Sequence, residues 1–264
     1  YAALSDKSLA ITGEDGGVYG IPYTIEGYGI IYNDAIMEKY FATSGAKAAS
    51  VDEINSFDKL KEVVEDMQAK KDELGIKGVF ASTSLLPGEE WRWQTHLADL
   101  PIYEEYQDKG VNDLDEIEFT YSDQFDSMAE FALGQAAMVQ NGNWAWNQIA
   151  EVSGNVVDAE DIKFLPIYMG LKDEDKQGLC VGTENYFCIN KQVSEADQKA
   201  SLDFINWLIS DETGKDYMTN KLGNIAPFTT FADDEKPSDP LAQNLLAYME
   251  SGKTSIPWIF TTFP

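Results

Sequence analysis

An α/β fold is what this sequence predicts, and three observations carry it. "GGVYGIPYTIEGYGIIYN" (16–33) opens on a glycine turn and then reads as two extended segments joined near Glu26 and Gly27, the second ending in the β-branched run "GIIYN". A helical period follows, with Phe57, Leu60, Val63, Val64 and Met67 three and four residues apart. Extended and helical segments then keep alternating, the mark of α/β rather than all-β or bundle architecture.

The elements follow in order. Ser56 is a natural cap for the helix 57–67, and Gly75 its stop. "GVFAST" is a short strand, and "EEWRWQTHLA" a helix opening after Pro87 and Gly88. "SMAEFALG" is a helix that leads into the strand "AAMVQ". Beyond Ser194 come two helices: the first with Leu202, Ile205, Leu208 and Ile209 as its inward stripe and Trp207 buried, the second capped by Asp211 and stopped by Gly223. A polar linker, "ADDEKPSDP", precedes a last helix, "LAQNLLAYMESG", and the tail "SIPWIFTTFP" is extended and aromatic.

With 264 residues, 44% of them hydrophobic, the chain can bury one large or two medium cores. Its 19 basic and 46 acidic side chains leave a formal charge of −27, which repels phosphate backbones and anionic lipid, so nucleic acid is excluded as a partner. Cys180 and Cys188 with a single histidine cannot assemble a zinc set; they either pair across a turn or stay reduced. No cofactor motif appears. Glu89 and Glu90 are adjacent acids near aromatic rings, but acids at a helix start are ordinarily favourable charges at the positive dipole end, and neighbouring helical side chains diverge. No nucleophile motif accompanies His96, so the chain reads as a binding protein and not an enzyme.

Five of the six tryptophans flank chain breakers: Trp91 and Trp93 behind Pro87-Gly88, Trp144 and Trp146 behind Asn141-Gly142, and Trp258 behind Pro257. Flat rings beside carboxylates and amides (Glu26, Glu89, Glu90, Asn141, Asn143) suit a ligand with apolar C–H faces and hydroxyl edges, which is the anatomy of a sugar. A polyamine is the alternative, held by the same rings through cation–π contact. Trp144, directly after the corner, is expected to face the ligand, and Trp146 to turn into the core.

"VYGIPYTIEGYGIIYN", "FALGQAAMVQNGNWAWNQI", "IKFLPIYMG" and "FINWLISDETGKDYM" together resemble, in order, the extracellular solute-binding proteins of sugar ABC transporters, the family of maltose-binding protein. That resemblance implies a two-lobe periplasmic-binding-protein-like (type II) fold with an interlobe hinge, a saccharide held in the cleft, delivery to the permease subunits of an ABC importer, a monomer, and an extracellular, lipid-anchored or periplasmic location in a bacterium. It places residues 1–24 and 178–228 in the N-terminal lobe, and 28–174 with 232–264 in the C-terminal lobe. Family members carry a further stretch before "GIPY" and run on past "SIPWIF", so the first lobe is expected to be incomplete here. The site residues it implies are Glu26, Tyr28, Glu90, Trp91, Trp93, Asn143, Trp144 and Trp258, with Phe263 a weaker match.

Overall fold

The structure is a computed structural model that describes residues 1–82, 91–110, 131–232 and 234–259, without the side chains of 92–94, 105 and 109. Strands β1 (Ile11–Thr12), β2 (Val18–Pro22) and β3 (Glu26–Asn33) lead into helices α1 (Asp34–Phe41), α2 (Phe57–Ala69) and α3 (Lys71–Leu74). β4 (Gly78–Ala81) follows, then a wide helical turn (Arg92–Leu97), α4 (Asp99–Lys109), β5 (Ala136–Gly142) and α5 (Ala145–Ala150). β6 (Ile162–Leu165), β7 (Gln177–Gly182) and β8 (Tyr186–Phe187) precede α6 (Glu195–Ser210), α7 (Glu212–Asp216), α8 (Pro240–Glu250) and β9 (Thr254–Pro257). The expected helix "SMAEFALG" and the tail beyond 259 lie largely outside the described residues.

Local chemistry fixes the helix starts. Ser56 accepts from the Lys59 amide at the head of α2, Ser194 from Asp197 at the head of α6, and Asp211 from Thr213 at the head of α7. Gly75, expected to stop α2, instead closes the separate turn α3 with a φ of 81°.

The chain divides into two compact units, residues 1–26 with 182–243, and residues 27–181 with 244–264. Residues 232–243, expected with the second group, cluster with the first. Lys215 pairs there with Glu235, whose carboxylate also accepts from the Ala232 amide. In the first unit, β2 lies between β1 and β8 in a three-stranded sheet. Leu4, Ala10, Leu208, Ile209, Met218 and Phe228 form its core. Of the expected stripe on α6, Leu208 and Ile209 are buried and Ile205 is partly buried, but Leu202 is 55% exposed; Trp207, also expected buried, is 38% exposed. A helical period marks a face as apolar but does not say what covers it.

The second unit is built on a six-stranded sheet of order β4-β5-β3-β7-β9, with β6 also paired to β3. β3 is antiparallel to β5 and to β6, while β4 runs parallel to β5 and β7 parallel to β9. Nearly all of β3 is buried, with Tyr28, Ile30 and Tyr32 in a core shared with Met37, Val63 and Met138. Gly29 marks the tightest point: a Cβ there would stand 2.7 Å from the Leu165 carbonyl oxygen and from Leu179, so β6 and β7 both close on a strand without a side chain. Cys180, in β7, is buried and Cys188 is exposed; both are free thiols, which settles the open pairing question.

Candidate functional site

The ring cluster grows out of one face of the second unit's sheet. Opposed residues of an antiparallel pair share a face, and Tyr28 faces Gly142 while Ile30 faces Gln140, so all four lie on the same side. β5 then ends at Gly142, and Trp144 follows as the residue before α5. Asn143 joins the corner to β3: its Oδ1 accepts from the Gly27 amide at 2.9 Å and its own amide donates to the Gly27 carbonyl at 3.0 Å. Expected at the ligand, Asn143 is 5% exposed and has its side-chain acceptor committed to the backbone. The absent side chain of Gly142 lets the Trp144 indole fold back across the strand end, where an added Cβ would come within 2.3 Å of the ring.

His96, on the wide turn Arg92–Leu97, is the central ring. It stacks on Tyr28 with centroids 3.8 Å apart and meets Trp91 edge-on at 4.9 Å and Trp144 at 5.8 Å. Trp91 and Trp144 lie 6.3 Å apart, and Trp258, just after β9, completes the group at 5.4 Å from Tyr28 and 6.4 Å from Trp144. Trp91, Trp144 and Trp258 are each only partly buried. Tyr28 is 1% exposed and its hydroxyl donates to the Thr95 carbonyl at 3.0 Å, so it supports the rings from within, a correction to its expected place on the ligand.

Two polar groups that sequence reasoning passed over complete the site. Gln140 places its amide Nε2 2.7 Å from His96 Nδ1, and its Oε1 is buried with no partner among the described residues. Asp99, at the start of α4, is 1% exposed; its Oδ1 accepts from the Ile259 amide at 2.7 Å, fixing the segment that carries Trp258. Burial pushes the Asp99 carboxyl up to about 7, against the pull of the Ile259 hydrogen bond and of the nearby Tyr28 hydroxyl. Its Oδ2 has no partner among the described residues. Burial also pushes up the Cys180 thiol beside this pair.

Of the other expected site residues, Glu26 belongs to the first unit, where Asn185 Nδ2 donates to its Oε2 at 3.0 Å. Burial raises the Glu26 carboxyl, Asn185 draws it back, and the charge of Glu184 adds to the rise. Glu89, Glu90 and Phe263 lie outside the described residues, as does the side chain of Trp93, whose backbone is part of the wide turn. Trp146, expected in the core, is only partly buried. Among the described residues there is no group of metal-ligating side chains, and no helix is long and apolar enough to cross a membrane.

A two-lobe, periplasmic-binding-protein-like α/β fold is the class this architecture defines, as solved structures show. The chain aligns with a chitin oligosaccharide binding protein at 18% identity and a TM-score of 0.57, covering 96% of this chain and 65% of that one. It aligns with the solute-binding protein RafE in complex with raffinose at 14% identity and 0.62, covering 97% and 70%. With the GacH receptor of Streptomyces glaucescens, solved unliganded and with acarbose, identity is 17% and the TM-score 0.60, covering 96% and 65%. The chain thus spans about two thirds of the length of these structures. Residues 1–244 match the model of the bacterial extracellular solute-binding proteins, and the chain belongs to that family. No curated protein sequence matches it.

Proposed function

We propose that this chain is the carbohydrate-binding part of a bacterial ABC importer, that it takes an oligosaccharide against Trp91, Trp144 and Trp258, and that it passes the sugar unchanged to the permease subunits. The observation that carries this reading is the grouping of three partly exposed indoles, Trp91 and Trp144 against His96 and Trp258 against Trp144, with centroid spacings of 4.9 to 6.4 Å. Each ring stacked on a pyranose contributes roughly 1–2 kcal/mol when ~50–80 Å² of apolar area leaves water. Three rings with a few hydrogen bonds then approach the ~8 kcal/mol of a micromolar complex. Solved relatives whose names include a chitin oligosaccharide binder and a raffinose complex support the ligand class.

In the same reading, residues 1–26 with 182–243 are part of the N-terminal lobe, and the second unit is the C-terminal lobe. The protein works outside the cytoplasm, lipid-anchored or periplasmic, as a monomer. A thermal-shift screen of the chain against a panel of oligosaccharides and polyamines tests the proposal. A ligand that binds only the folded state at a hundredfold excess over its Kd adds about 2.7 kcal/mol of stability. Stabilisation by polyamines and by no saccharide overturns it, as does chromatographic detection of shortened sugar after incubation.

A further inference from the structure

We infer that Gln140 is the ligand-orienting acceptor of the tryptophan cluster: its Oε1 takes a hydrogen bond from a saccharide hydroxyl while its Nε2 holds His96 as a neutral imidazole. The inference rests on the saccharide reading above and names a residue that decides which sugars fit.

Gln140 lies on β5 opposite Ile30 and two residues before Gly142, on the sheet face that bears the rings. Its amide is in direct contact with the central ring, Nε2 standing 2.7 Å from His96 Nδ1. An amide N–H can donate to Nδ1 only when that nitrogen is unprotonated, so the contact selects the neutral tautomer with its proton on Nε2. The other end of the same planar amide, Oε1, is then fixed beside His96, stripped of water and without a donor among the described residues. A buried acceptor left unpaired is unfavourable, and a ligand that supplies an O–H removes the deficit. A second buried acceptor, Asp99, has Oδ1 tied to the Ile259 amide and Oδ2 without a partner among the described residues. The acceptor group in direct contact with the central ring is the neutral Gln140 amide, which suits a sugar hydroxyl better than an ammonium group.

Calorimetric titration of the chain with raffinose, chitotriose, mannotriose and acarbose supplies the probe, taken as whichever binds most tightly. Gln140→Leu is expected to weaken that sugar roughly tenfold, the loss of one neutral hydrogen bond, with an unchanged thermal melt. Gln140→Glu, which keeps an acceptor oxygen, is expected to retain most of the affinity. Loss of the His96 contact alone could also disturb the rings, so the same pair is measured in a His96→Phe background. Direct acceptance keeps the roughly tenfold effect of Gln140→Leu there. Wild-type affinity in Gln140→Leu, with binding abolished in Trp144→Ala, overturns the inference and leaves the saccharide reading intact. Disappearance of the effect in the His96→Phe background also overturns it. Wild-type protein that binds none of the four sugars but is stabilised by polyamines overturns both.

Discussion

Trp144 lies so close over Gly142 that a methyl group on the glycine would stand 2.3 Å from the far edge of the indole. The glycine is therefore part of the ring's seat, and Gly142→Ala must swing the indole off the strand end. Saccharide affinity is expected to fall by about 1–3 kcal/mol, the range for losing one aromatic platform, and Trp144→Ala should fall by a similar amount. The ring is only partly buried, so neither change should cost more than about 2 kcal/mol of stability. Titration calorimetry with parallel denaturant melts separates the two quantities, and a large stability loss with unchanged affinity would make Trp144 a core residue.

Asp99 predicts a pH dependence of the fold. Its carboxyl is raised to about 7 by burial, above the ordinary carboxylate value that the unfolded chain restores. Between those values the native state binds more protons than the unfolded state, so stability is greatest in acid and is lost as pH rises from about 4 through about 7. Asp99→Asn keeps an acceptor for the Ile259 amide and removes the ionisation. The variant is expected to gain on the order of 3 kcal/mol over wild type at pH 8 and nothing at pH 4. Asp239, raised by burial to about 6, adds a similar slope to both proteins, so the difference between them isolates Asp99. Urea melts at the two pH values are the measurement.

Much of the fold is written locally and could be read locally. Ser56 and Asp211 cap the helices they were expected to cap, and the β-branched run around Ile30 lies on a strand. Trp91, Trp144 and Trp258 meet although they are far apart in sequence, and what singled them out was a chain breaker beside each. Asn143 and Tyr28 carried the right chemistry for a ligand, but the Gly27 amide and the Thr95 carbonyl take their polar atoms. The pairing of Gln140 with His96 spans 44 residues and joins a strand to an irregular turn, and no period or motif encodes that. Residue type alone does not reveal which polar atom tertiary packing leaves without a partner.

The exposed rings on α6 give a prediction opposite to the expected burial of Trp207. Trp207 and Phe204 stack with centroids 5.9 Å apart while remaining 38% and 55% exposed. Phe204→Ser in this chain is expected to change stability by less than about 1 kcal/mol, whereas burial of the ring would make the loss about 3–5 kcal/mol. A denaturant melt decides between these values. Binding of a hydrophobic dye to the native chain should also fall, since Phe204 and Trp207 form part of an apolar groove with Tyr217 and Leu222.

Glu174 predicts a structural effect remote from the rings. Its side chain is buried and gathers four backbone donors: Oε1 accepts from Met169, Gly170 and Leu171 at 2.6, 2.6 and 3.2 Å, and Oε2 accepts from Phe57 at 2.8 Å. One carboxylate thus joins the first residue of α2 to the turn after β6, and each hydrogen bond is strengthened by its charge. Glu174→Gln replaces one of the two oxygens with an amino group, so whichever way the amide turns, at least one backbone N–H faces a donor. The cost is expected to be about 1.5–3 kcal/mol. Glu174→Ala leaves all four donors without that acceptor and should cost more, with amide exchange accelerated at Phe57, Met169 and Gly170. Because the ring cluster rests on β3, β5 and the Arg92–Leu97 turn, saccharide affinity measured well below the melting temperature should stay at the wild-type value in both variants. A loss of affinity that tracks the loss of stability would show that the turn at 169–171 helps to hold the rings in place.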